Sequence, residues 1–359
     1  MRSVQLLGLS VIVILAVIGM AQAAFADAFG DHESIGCEAN PTGNPIGGGE
    51  GYDDIYDTGD FIVGNLTELL AALQEARPGQ VIFVPHGIEI DLSGRPTLVL
   101  PAGVTLAGTR GKDGSPGARI FTTTFPGMFA VGGDDTRFTG LRFEGPYAGA
   151  ERIAGLARFL SINHCNNTVD NCEIYNFNSI AIGVGTGALN THVHHNYIHH
   201  CQLTGGGYGV AADGGSDVRI IANKFDYCRH HLKSSGVPGS GYEGAWNLIM
   251  EHANGTHCDM HGGRDRGDGT DIAGDWMHIH HNTFLSPLTH VGIRGTPSDG
   301  AEIHNNWFAR PAEDSVRSTG NTRVYNNVWG PDRIPQEHAI HFVDGKSVEC
   351  AVEQCPYCP

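Results

Sequence analysis

The chain has 359 residues, 39 of them acidic against 22 basic, for a formal net charge of -17. That balance repels DNA, RNA and anionic lipid, so nucleic acid is excluded as a partner, and an acidic polymer needs a local basic cleft or a bridging cation to bind. The 51 glycines exceed the usual share of about 7% and follow no collagen period, so they mark many tight turns.

Residues 1–26 open with Arg2, an apolar run from Leu6 to Met20, and small residues at Ala21, Ala23, Ala24 and Ala26. A basic start, an apolar run too short to span a bilayer and an A-x-A-like end describe a cleaved signal peptide. The expectation is a secreted protein, extracellular or periplasmic, monomeric and without a membrane span in the mature chain. Nine cysteines in an exported chain favour disulfides over thiol catalysis, with one left over from the odd count.

Residues 27–64 form an N-terminal extension. From Asn65 to Ala76, Leu66, Leu69, Leu70 and Leu73 share one helical face, with Asn65 as N-cap. This helix, 65–76, precedes a first strand, Val81 to Val84, and is placed to cover an open sheet end.

Further along, a segment of alternating apolar and polar residues ending in asparagine recurs: VDNCEI (169–174), VHHNYI (193–198), RIIANKF (219–225), IHHNTF (279–284), IHNNWF (303–308) and VYNNVW (324–329). Asn171, Asn196, Asn223, Asn282, Asn306 and Asn327 align, with gaps of 25, 27, 59, 24 and 21 residues. The gap of 59 is about twice the others, and Asn254 supplies the missing rung. Coils of this length with no 3.6-residue apolar period exclude helical solenoids. The fold expected is all-β, a single-domain right-handed parallel β-helix over 65–345. Asparagine suits the ladder because it tolerates a left-handed turn and bonds to its equivalent in the next coil. VTLAG (104–108) and FTGLRF (138–143) are earlier members, with glycine in place of asparagine. A tail at 346–359 holding Cys350, Cys355 and Cys358 closes the far end. Cys201, Cys228 and Cys258 fall at similar places in their coils, either bridged or stacked as buried thiols, the stack being preferred. Sequons stand at Asn65, Asn166 and Asn254, the last protected if it is a ladder residue.

A third strand follows a variable loop in each coil: AIGVG (181–185), GVAAD (209–213), HHLKS (230–234), CDMHG (258–262), VGIRG (291–295) and DSVRS (314–318). Alternate residues of a strand point outward. With Val210, Leu232, Cys258, Met260, Val291, Ile293 and Val316 inward, one outward column is Asp213, Lys233, His261, Arg294 and Arg317. A second holds Ala211, His231, Asp259, Gly292 and Ser315, and a third Arg229, His257, His290 and Glu313. Removing the proton beside a uronate carboxylate requires a base and a cation to neutralise that carboxylate, and the leaving oxygen needs an acid. Lys233, His261 and Arg294 are the catalytic candidates. His231, His257, His290, Arg317 and Arg264, in the acidic loop Gly262 to Asp275, are candidates for binding substrate. Asp213 and Asp259 are candidates for holding Ca²⁺. Tyr208, Tyr242 and Trp246 are candidates for stacking on sugar rings.

These residues resemble the pectate lyase-like superfamily of parallel β-helices. The likeness lies in the NLTELLAALQEARPGQVIFVPHG opening, the asparagine ladder and the coil lengths. It implies an acidic polysaccharide as partner, with Ca²⁺-binding acids and a catalytic Arg or Lys on one outward strand stack. Asp259 and Arg294 fall where such residues are expected. The WIDH-type motif and proline-spaced arginine pair of true pectate lyases are absent, while HCDMHGG is similar to the Asp-x-His motif of alginate C5-epimerases. The function expected is that of a polysaccharide lyase acting by β-elimination. The alternatives are a C5-epimerase, a hydrolase using Asp213 and Asp259, and a non-catalytic cell-surface or carbohydrate-binding protein.

Overall fold

The computed structural model describes residues 35–125, 127–147, 155–310 and 315–330, with the backbone of two further strands, Ala339–Val343 and Lys346–Cys350. The expected signal peptide, Glu313, Cys355 and Cys358 lie outside the described residues. Among those described, eleven, ten and nine short strands form three parallel sheets. The chain visits the sheets in a fixed rotation, one strand of each per coil. It is a right-handed parallel β-helix. The last two strands pair with each other as an antiparallel hairpin. None of the described helices is long and apolar enough to cross a membrane.

Each coil buries alternate residues. In the first sheet Thr191–His194 reads buried, half-buried, buried, half-buried, and Val169, Val193 and Ile220 stack through successive registers. The interior of the early coils is apolar, with Phe129, Phe138, Phe143 and Phe159 packed edge-on or stacked. The helix Leu66–Glu75 covers the N-terminal end as expected. Asn65 caps it by accepting the Glu68 N–H at 3.0 Å, and Leu69 and Leu73 join the same core as Ile82 and Val84.

The asparagine ladder exists, but its members and their task differ from the sequence alignment. The side chains of Asn196, Asn223, Asn247, Asn282, Asn306 and Asn327 donate one to the next at 3.0–3.1 Å. The missing rung is therefore Asn247. Asn254 is exposed in a loop, so its sequon is open. Asp170 pairs with His194, which puts Cys172 level with Asn196 and moves Asn171 one place back. The left-handed conformation belongs to that preceding place. Asn171, His195, Ala222, Trp246, His281, Asn305 and Asn326 all have φ between 49° and 54°. Two roles assigned to one asparagine are thus split over two adjacent residues. Gly140, at φ 68°, fills the left-handed place in its coil and Leu141 the ladder place.

The extension ahead of the helix runs along the solenoid as a strap. Gly36 N–H donates to Asn305 O and Gly47 N–H to Ala222 O, both at 2.9 Å, while Gly49 N–H donates to Asn171 Oδ1 at 2.8 Å. Tyr52 then donates to Asp170 at 3.0 Å, and Asp54 pairs with Arg137 at 2.7 Å. The N–H groups of the left-handed row donate to the next coil, and the strap satisfies oxygens of that row, at Asn171, Ala222 and Asn305. Cys201 and Cys228 are neighbours in register, both fully buried, whereas Cys258 sits in a different sheet beside Leu232. The six described cysteines whose side chains are seen are free thiols.

Candidate active-site cleft

The nine-stranded sheet carries the chemistry, and its register redraws the outward columns. Ala211 pairs with Lys233, Lys233 with Asp259, Asp259 with Gly292 and Gly292 with Arg317. The second column, just past the strands, is Asp213, Ser235, His261 and Arg294. Lys233 and Arg317 were expected in the column of Asp213, His261 and Arg294, and each stands two residues away from it. Alternation fixes which face a residue takes, not its position along the strand, so a shift of two is invisible in the sequence.

The expectation for His231, His257 and His290 is overturned. All three are fully buried. They stack inside the coil with ring centroids 5.0 and 5.5 Å apart, and His290 lies over Phe308 at 5.1 Å. The cause is a bulge: the N–H groups of His231 and Leu232 both donate to His257 O. Two residues opposing one carbonyl break the alternation, so His231 turns inward together with Leu232 and His230 turns outward. Tyr242 is also fully buried, and Trp246 occupies a turn in another sheet, so neither meets the cleft.

The remaining candidates converge. Asp259, on the strand Cys258–Met260, is 2% exposed. Its Oδ2 accepts a hydrogen bond from Arg294 Nη2 at 2.6 Å. His261 Nε2 lies 2.9 Å from the same oxygen. Burial by itself would raise the Asp259 carboxyl. His261, His230 and Arg294 outweigh it and hold the group down at about 2. Arg294 also donates to Asp265 at 3.0 Å, from the short helix Gly263–Arg266. Next along the sheet, Lys233 donates to Asp213 at 2.7 Å, and Asp213 accepts the Ser235 N–H on the same oxygen at 2.7 Å.

The cleft beside Asp259 has a volume of about 340 Å³ and is walled by Arg229, His230, Thr256, Asp259, Arg294 and Arg317. A second hollow of about 350 Å³ continues past Arg294 and Arg317 to Arg264 and Asp265. Tyr208 stacks on His230 with centroids 5.5 Å apart and accepts a hydrogen bond from Arg229 at 3.1 Å. The acidic loop after Asp259 forms the rim. Arg266 pins it, donating to Ser235 O, His261 O and Ile272 O at 2.9–3.3 Å, while Arg264 is left exposed. His230 and Asp265 are the site residues absent from the sequence expectation. Strict alternation from Leu232 places His230 inside, and only the bulge brings it out.

Asp213 and Asp259 are not brought together on one cation, since Lys233 and Arg294 already neutralise them. Among the described residues, no three of His, Cys, Asp or Glu gather as a metal site. An acid–base pair of carboxylates also fits poorly, because one member must donate a proton and each already accepts a hydrogen bond from a basic side chain, Lys233 or Arg294.

No protein-family model matches the chain, and a search of curated protein sequences found no match. Among solved structures, the crystal structure of alginate lyase from Paenibacillus sp. str. FPU-7 aligns over 75% of this chain and 97% of its own, at 14% identity and a TM-score of 0.41. So distant a likeness leaves the function to be argued from the cleft itself.

Proposed function

We propose that this is an exported polysaccharide lyase-like enzyme that binds a uronate-containing polymer in the cleft beside Asp259 and cleaves it by β-elimination. The observation that carries the reading is the gathering of Arg229, Arg294 and Arg317 around one cleft, with Arg264 on its continuation, in a chain of net charge -17. Guanidinium groups pair with carboxylates through two parallel bonds, and here a buried Asp259 fixes Arg294 in place. Arg294, paired with Asp259 and Asp265, keeps further N–H groups to donate, while Arg229 and Arg317 supply the charge that neutralises a bound uronate and acidifies its C5–H bond.

Incubation with alginate, polygalacturonate and glycosaminoglycans should give unsaturated products absorbing in the ultraviolet. Arg294→Gln should lower kcat/KM by about 100-fold, the loss typical of removing one preorganised charge-stabilising donor. Reducing ends released without absorbance would replace elimination by hydrolysis. Because arginine supplies the positive charge, chelation with EDTA should leave the rate unchanged. A rate lost to EDTA and restored by Ca²⁺ would reinstate a cation held by Asp213 or Asp259.

A further inference from the structure

The base required by this reaction needs a reacting nitrogen that is free, and one cleft residue meets that condition. His230 is 4% exposed yet lines the cleft wall. Its Nδ1 makes a short contact with the Thr256 carbonyl oxygen. A carbonyl only accepts, so Nδ1 carries the ring hydrogen and the neutral ring keeps its lone pair on Nε2. Nε2 is buried and has no hydrogen-bond partner among the described residues, and Asp259 Oδ2 stands 3.9 Å away, beyond hydrogen-bond reach. The stacked Tyr208 ring fixes the plane in which the lone pair points. Lys233 donates to Asp213, and His261, whose Nε2 lies 2.9 Å from Asp259 Oδ2, is not among the residues that wall this cleft.

Resting on the reading above, we propose that His230 Nε2 is the base that removes the C5 proton of a uronate residue bound in this cleft. The C5–H bond breaks toward Nε2, its electron pair becomes the C4=C5 double bond, and the C4–O bond breaks. The leaving oxygen takes a proton from solvent water at the open mouth of the cleft, and His230 afterwards releases its own to solvent. The groups facing His230 are Asp259 on the next coil, Arg229 beside it, Arg294 and the Tyr208 ring. Burial depresses its pKa to about 4, against the opposing pull of Asp259 and the Thr256 carbonyl. The ring is therefore neutral at pH 7, with its Nε2 lone pair unprotonated.

The test compares intact protein with His230→Gln and His230→Ala on alginate and polygalacturonate, following absorbance and polymer binding separately. Both variants should lose kcat/KM by about 100-fold or more, the range for a general base, while still binding polymer. The intact protein should gain activity as pH rises through an acid limb that the variants lack, and added imidazole should partly restore His230→Ala. Variants with intact kcat/KM would overturn the role of His230 and leave the lyase reading standing. Variants that bind no polymer would make His230 a structural residue and overturn its role as base. An intact protein that yields no absorbance on either polymer would overturn the lyase reading itself.

Discussion

Asp259 shows how a single buried carboxylate can organise a basic cleft without doing acid–base work. It is almost wholly enclosed, which by itself favours the neutral acid, yet His261, His230 and Arg294 keep it ionised and hold its pKa near 2. Its folded pKa thus lies below the unfolded value of about 3.9. The stability it contributes is fully present above that unfolded value and is lost as pH falls toward 2. The difference is worth on the order of 2 kcal/mol. Asp259→Asn should therefore lower the urea midpoint near pH 7 by an amount equivalent to about 2 kcal/mol. The gap between variant and parent should narrow as pH drops from 5 toward 2, where the parent carboxylate also becomes protonated. A gap that stays constant with pH would mean that Asp259 acts by packing instead of charge. The same substitution frees Arg294 to swing, so substrate affinity should fall with stability.

At the scale of the coil, the ladder tests which asparagine is structural. Asn247 accepts from the Asn223 backbone and side chain at 2.9 and 3.1 Å and donates to Ile220 O and Asn282 Oδ1 at 2.8 and 3.0 Å. Asn247→Ala would orphan several buried partners at about 1–3 kcal/mol each, whereas exposed Asn254→Ala should stay within about 0.5 kcal/mol. Equal losses at the two positions, measured by urea denaturation, would restore Asn254 to the ladder. The reason Asn247 escapes a pattern search is physical. Its preceding strand, Gly241–Ala245, has Gly244 where the neighbouring coils place Ile220 and Ile279, and a Cβ there would press on Leu232. The apolar mark that identifies the other rungs is missing because the space is already filled. The β-helix, its capping helix and the outward face of Lys233, Asp259 and Arg294 were legible, since Leu232, Cys258, Met260 and Ile293 mark the inward face beside them. Column register and the inward histidines were not, because a shift of two and a one-residue bulge leave the composition of a strand unchanged.

For the molecule as a whole, a solenoid couples each coil only to its neighbours, so distant coils can unfold independently. The strap changes this, because one continuous segment touches Asn305 near one end, Ala222 and Asn171 in the middle, and Arg137 toward the other. Melting the late coils releases contacts that also hold the strap on the early ones, and this coupling should make unfolding cooperative over the length it spans. All four tryptophans lie between 246 and 329, so their fluorescence reports the late coils while far-ultraviolet circular dichroism reports every strand. In the intact protein the two signals should trace one urea transition. A variant lacking residues 35–58 should split them, the tryptophan signal changing at lower urea than the dichroism. Coincident curves in that variant would show that stacking between adjacent coils is enough to make the solenoid unfold as one unit. Because the strap leaves the nine-stranded sheet untouched, the variant should keep the cleft and its activity at urea concentrations below the first transition.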